Sequence, residues 1–228
     1  MSNASQLPFD LGHSAAYARE DLWISPANAE AVAWLDKWPE WQAPALVLYG
    51  PPASGKTHIA RAWQKKSSAA ALTAENLESL CGQASAPRAL LADDAGTLIG
   101  DRSAETFLFH AYNRAQTEGG HLLLVASLPP KEWDFALPDL KSRLLASPAV
   151  AVGSPDEQTM AVVLAKLFSD RQIFVSQDVV QFVITRIERS FAAMRDMADE
   201  VDRKALAEKR AVTIPLVREI LQAQGILL

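Results

Sequence analysis

Eight consecutive residues, Gly50-Pro51-Pro52-Ala53-Ser54-Gly55-Lys56-Thr57, constrain this chain more than any other feature. They match the pattern G-x-x-x-x-G-K-[ST] in full, directly after the apolar run Ala45–Tyr49 and at the start of a helical pattern over about 55–66. The chemistry of that spacing is specific. Glycines let the backbone wrap until its N–H groups face phosphate oxygens, and a helix start adds a favourable dipole. Lys56 then neutralises β/γ-phosphate charge and Thr57 offers a hydroxyl to Mg²⁺. Pro52, Ala53, Ser54, Gly55, Lys56, Thr57 and His58 are therefore the expected nucleotide contacts. For His58, contact through the backbone is expected rather than service as a base.

A second strand-edge signal accompanies the loop. Arg88-Ala89-Leu90-Leu91-Ala92-Asp93-Asp94 is a short apolar strand ending in two carboxylates, the arrangement that holds Mg²⁺ through one carboxylate and orients an attacking water with the next. Asp93 is the expected metal-side residue and Asp94 the expected catalytic, water-side residue. Asp94 is shorter than a glutamate would be, and the strand His121–Ala126 leads only to Ser127 as a polar group. The shorter Asp94 implies slow hydrolysis by the chain alone, and the lone Ser127 implies weak or no hydrolysis only through the family resemblance described below, whose members carry a longer polar segment there.

Apolar runs at Ala89–Ala92, His121–Ala126 and Ala149–Val152 join Ala45–Tyr49, with helical stretches at about 28–38, 55–66, 74–81 and 102–117 between them. Strand and helix alternate, which predicts a parallel sheet covered on both faces. After Pro155 four helical patterns follow with almost no strand signal. The expected organisation is a tail over 1–20, a P-loop α/β base over 21–153 and a small helical domain over 154–228. With 49% apolar and 21% charged residues, the chain can bury such a core.

Charge and cysteine usage narrow the partners. A net charge of −5 gives no overall basic field for a phosphate backbone, so direct sequence-specific DNA binding is not expected. The single cysteine, Cys81, excludes an intramolecular disulfide and fits a reducing cytoplasm. No run reaches the roughly 18 apolar residues of a membrane span, and no basic segment followed by an apolar stretch opens the chain, so a cytoplasmic protein without a membrane partner is expected. Trp34, Trp38 and Trp41 follow helical or turn spacing without interleaved arginines and read as core rather than as a base-stacking platform.

With the P-loop, the Asp93-Asp94 strand, the Leu140-Lys141-Ser142-Arg143 box and a four-helix C-terminal region in order, the sequence resembles the DnaA-related AAA+ family from about residue 22 onward. Further echoes are Ser25-Pro26-Ala27-Asn28, Pro129-Pro130-Lys131-Glu132 and Met194-Arg195-Asp196. Because no DNA-reading helix-turn-helix region follows, it resembles more narrowly the Hda-type regulatory inactivators of DnaA, in their alphaproteobacterial HdaA-like form. That resemblance implies an AAA+ P-loop NTPase fold with a helical lid, ADP or ATP with Mg²⁺ as ligands, and DnaA and the DNA polymerase sliding clamp as partners. It also implies self-association, as homodimer or homo-oligomer, through the nucleotide edge. By the same resemblance Arg143 is the arginine finger that reaches a partner's ATP, and Arg195 contacts phosphate from the lid. Gln6-Leu7-Pro8-Phe9-Asp10-Leu11 is the clamp-docking string, with Gln6 as polar anchor and Leu7, Phe9 and Leu11 for an apolar pocket. Two other classes stay open: a DNA-acting factor such as a helicase loader or truncated initiator, and a stand-alone ATPase chaperone.

Overall fold

Each predicted strand is apolar on both of its faces, and the computed structural model, which describes residues 22–81 and 87–226, shows why. β1 (Ala45–Tyr49), β2 (Ala70–Ala71), β3 (Ala89–Ala92), β4 (His121–Ala126) and β5 (Ala149–Ala151) form one all-parallel sheet in the order β2-β3-β4-β1-β5. A parallel sheet needs crossovers on its faces, so its strands are buried twice over.

Alternate residues divide between the two faces. Leu46, Leu48, Leu91, Leu123, Val125 and Val150 pack beneath α1 (Ala29–Lys37) and α2 (Lys56–Ser67). Val47, Leu90, Ala92, Leu122 and Leu124 pack beneath α3 (Leu77–Cys81), α4 (Arg102–Glu118) and α5 (Pro138–Ala146). A third core is drawn from residues 160–221 on α6 (Glu157–Asp170), α7 (Gln177–Ile184), α8 (Phe191–Glu208) and α9 (Ile214–Ala223).

Two elements escape the sequence pattern. β2 is two residues at the sheet edge, too short to carry a period. α5 starts on Pro138, whose fixed φ suits a first helical turn, but the helix is only nine residues long with two of them buried. Its N-terminal approach is held from elsewhere: Glu105 of α4 is fully buried and accepts from the backbone N–H groups of Gly100 (2.7 Å), Ala136 (3.0 Å) and Leu137 (2.6 Å). Helix α7 stops at Ile184, although the sequence predicts a helical pattern over Ser176–Ser190.

The tryptophan reading holds as core. Trp41 stacks on Trp63 at 5.4 Å and 9°, while Trp38 meets Trp63 edge-on at 6.2 Å. Register then fixes the working edge. β4 lies between β1 and β3, with Tyr49 opposite Ala126 and Ala92 opposite Leu124, so the P-loop, Asp93-Asp94 and Ser127 all leave the sheet at the carboxyl ends of neighbouring strands. That edge is where open α/β sheets bind ligands.

Candidate functional site

The loop between β1 and α2 is shaped by backbone demands that glycine meets. A Cβ on Gly50 would sit 2.1 Å from the Val152 carbonyl oxygen, and Gly55 has φ of 94° with Phe191 3.1 Å from its Cβ position. Ala53 is also left-handed at 57°, so two such residues within three positions curl the chain sharply. Helix α2 opens on Gly55 and runs twelve residues, long enough for its first turn to favour an anion.

Lys56 is buried and bent back over this loop. Its Nζ donates to the carbonyls of Gly50 (2.9 Å) and Pro51 (2.6 Å) and lies 3.4 Å from Ser54 Oγ. Burial pushes the ammonium pKa below its usual value, and the nearby Asp93 carboxylate pulls it partly back. Ser54 is also buried, whereas Pro52 and Thr57 are exposed at the loop rim.

Asp93 is gripped from the same helix. Its Oδ2 pairs with Arg61 of α2 at 3.2 Å, while Oδ1 is buried and accepts no hydrogen bond among the described residues. Asp94 is exposed and begins a short 3-10 turn over Ala95–Leu98, its carbonyl taking the Thr97 hydroxyl at 2.8 Å. Ser127 is exposed just past β4.

The C-terminal helices complete the site. Ser190 caps α8 by accepting from the Ala193 N–H at 3.0 Å, which sets Phe191 and Arg195 on the first turns facing the loop. A cleft of about 230 Å³ is lined by Ala53, Lys56, Thr57, His58, Phe191 and Arg195, among others. Beside it lies a more apolar cavity of about 100 Å³ walled by Leu22, Trp23, Ile59, Val163, Leu167 and Phe191. Asn28 shapes that cavity: its side chain accepts from Ser25 N and donates to the Trp23 carbonyl, both at 2.8 Å. The Arg195 guanidinium comes within 3.4 Å of His58 Nδ1, so the His58 side chain bridges to α8 in addition to any backbone role.

Arg143 belongs elsewhere. It lies over the rings of Phe109 (4.9 Å) and Tyr112 (5.5 Å) of α4 and donates to Gln116 Oε1 at 3.2 Å. It lines neither cavity. Thus the structure assembles Ala53, Gly55, Lys56, Thr57, His58 and Arg195 around one cleft, with Asp93 coupled to Lys56, and holds Arg143 on the α4–α5 face. Gln6, Leu7, Phe9 and Leu11 lie outside the described residues. Sequence reasoning missed Arg61, Trp23 and Phe191. A lone helical arginine carries no motif, and the two aromatics become site residues only when three separate segments meet.

An orphaned carboxylate oxygen, a curled loop opening a helix and a buried lysine that feels the Asp93 carboxylate suit a Mg²⁺-nucleotide by their chemistry. The adjacent cavity has the apolar lining that a nucleobase requires.

Comparison with known proteins agrees with the fold. Residues 156–221 match the family model described as Hda, lid domain. The fold is similar to domain III of the Thermotoga maritima replication initiation protein DnaA, with TM-score 0.76 and 20% identity over 96% of this chain and 98% of that one. It is also similar to AMPPCP-bound DnaA from Aquifex aeolicus, with TM-score 0.71 and 17% identity over 85% and 67% of the two chains. An uncharacterized protein of Haemophilus influenzae is 29% identical, covering 78% of this chain and 81% of that protein. No described helix is long and apolar enough to cross a membrane.

Proposed function

We propose that this chain, whose residues 156–221 match the Hda lid domain and whose fold is similar to domain III of DnaA, is an Hda-type, nucleotide-bound regulator of replication initiation that stimulates hydrolysis of ATP held by DnaA. In this reading residues 21–153 are the base, 154–228 the lid, and 1–20 a tail whose Gln6, Leu7, Phe9 and Leu11 dock on the sliding clamp. The observation that supports it most is an Hda-type lid closing with Arg195 and Phe191 over a phosphate-binding loop, while Arg143 sits on a different face.

Within the chain's own site, the 50–57 loop and Lys56 would hold phosphates, Thr57 and Asp93 the Mg²⁺ side, and Arg195 a phosphate from the lid. A bound nucleotide supplies a polyphosphate that links base to lid, with Mg²⁺ offsetting its charge. The chain's residues do the rest. Lys56, whose Nζ donates to the Gly50 and Pro51 carbonyls, would hold phosphate oxygens, and their charge would offset the desolvation that lowers its pKa. Phe191 and Trp23 shield the base from water.

Arg143 acts outward. Two ring faces hold its guanidinium, so little side-chain freedom remains to be lost when it meets a partner's phosphates. An arginine supplied in trans stabilises the charge spread over a transferring phosphoryl group.

The test is the loss of radiolabelled ATP prebound to the cognate DnaA, with DNA-loaded clamp present, comparing the wild type with Arg143→Ala. Acceleration by the wild type alone supports the reading. If neither protein accelerates the loss and the chain instead binds single-stranded DNA in a salt-sensitive way, a DNA-acting factor replaces it.

A further inference from the structure

We propose that Arg61 takes over the divalent cation's share of neutralising Asp93, so that this cradle accepts a nucleoside diphosphate without requiring Mg²⁺. The inference rests on reading the cleft as a nucleotide site.

Arg61 is held in place from two sides. One guanidinium nitrogen meets Asp93 Oδ2 at 3.2 Å, and another donates to Gln64 Oε1 at 2.8 Å. Gln64 is itself fixed, its amide donating to the Ala69 carbonyl at 3.0 Å beyond the end of α2. A planar guanidinium can satisfy both partners at once, whereas an ammonium offers no such fork. The carboxylate that should face a metal is therefore already paired with a braced cation.

The charge balance follows. Two cations of α2, Lys56 and Arg61, act on Asp93, and one oxygen of that carboxylate is committed to Arg61. Asp93 keeps Oδ1 for a Mg²⁺ ion, but that ion would sit beside the fixed Arg61 charge, so it is accommodated without being needed to neutralise the carboxylate. Without a metal, Asp93 would repel phosphate if it were bare. Paired with Arg61 it does not. A diphosphate, carrying less charge than a triphosphate, can then be balanced by Lys56, Arg195 and the helix start alone. The pair is partly exposed, with Arg61 37% accessible, so its contribution to fold stability is small and its loss leaves a folded protein.

The experiment is titration of ADP into the full chain by calorimetry, in MgCl₂ and in EDTA, for the wild type, Arg61→Gln and Arg61→Lys. The expected wild-type dissociation constants in the two buffers agree within about threefold, while chelation weakens Arg61→Gln by about tenfold or more. In that variant the bare Asp93 faces the diphosphate unless Mg²⁺ covers it. Arg61→Lys, which keeps the charge and loses the fork, falls between them. Gln64→Leu, which removes the brace and leaves the pair, gives the same direction with a smaller change should Arg61→Gln not fold. A wild type that loses about tenfold or more on chelation, or variants that match the wild type, would overturn the proposal while leaving the nucleotide site standing. No ADP binding in either buffer overturns both.

Discussion

The two faces of the sheet use cations in opposite ways. Beneath α1 and α2, Lys56 and Arg61 turn inward onto the chain's own carboxylate and loop carbonyls, above a stack of tryptophans. Beneath α4 and α5, Arg143 rests on the rings of Phe109 and Tyr112 and on an uncharged amide. The first arrangement is internally compensated, and its cations are committed to the resident site. The second keeps a full charge on a prearranged side chain, which suits a phosphate brought by another molecule. On the proposed function, one fold holds a quiet site and an outward-acting arginine on faces that the sheet keeps apart.

The largest expected effect separates the faces by function. Arg143→Ala should slow hydrolysis of DnaA-bound ATP by about 10³-fold or more, the range of trans-acting arginines. The same variant should bind ADP within about twofold of the wild type by calorimetry. If ADP affinity fell in step with stimulation, Arg143 would be serving its own site and the contrast would collapse.

Glu105 offers the next test, because it holds the approach to α5 through three backbone N–H groups. Glu105→Ala strands those donors, which should cost about 3 kcal/mol after local relaxation. For a chain of this size that corresponds to a Tm lower by roughly 6–12 °C. Below that transition, stimulation of the partner should fall while ADP binding persists, since the strain falls on the Arg143 face. Equal loss of both would mean that the faces are mechanically coupled.

Lys56 sharpens the comparison from the other side. Burial lowers its pKa below the unfolded value, so the unfolded chain holds the proton more firmly and the charged lysine is a cost to the nucleotide-free fold at neutral pH. Lys56→Met should weaken ADP by about 10–100-fold, as loss of a charge-assisted phosphate contact does, without lowering the Tm of the nucleotide-free protein. A lower Tm in the absence of nucleotide would show instead that the contacts to Gly50 and Pro51 hold the loop together.

How far these faces could be read in advance depended on the range of the interactions. The four longer strands, the loop at 50–57 and the paired carboxylates announce themselves through contiguous apolar runs and fixed spacings, and β1, β3 and β4 fall where the pattern puts them. Pairings across the chain do not. Glu105 looks like an ordinary helical carboxylate until residues 136 and 137, about thirty positions on, fold over it. Arg61 looks like a solvated face until β3 delivers Asp93 beside it. Phe191 and Trp23 gain a role only when the last helices close over the first strand's loop. The string at Gln6 to Leu11 was legible as a motif, and lies outside the described residues.

The smallest effect probes the tryptophan face through a group that no motif singles out. His121 begins β4 and meets Trp41 edge-on at 5.3 Å and Trp38 at 6.3 Å. Burial lowers its pKa below the usual value near 6.5, and a hydrogen bond to the Trp41 backbone pulls it partly back. The unfolded chain therefore takes up the proton first as pH falls. Stability from the neutral ring is fully present above about pH 6.5 and is lost as pH drops through the lower folded value. Thermal melts followed by tryptophan fluorescence from pH 8 to pH 5 should show a decline that His121→Gln reduces, by about 2 °C or less in Tm. Because the opposite face contains no part of this cluster, Arg143-dependent stimulation should keep its pH profile in the variant. A shifted profile would mean that protonation on one face is felt on the other, and that the sheet couples its faces instead of insulating them.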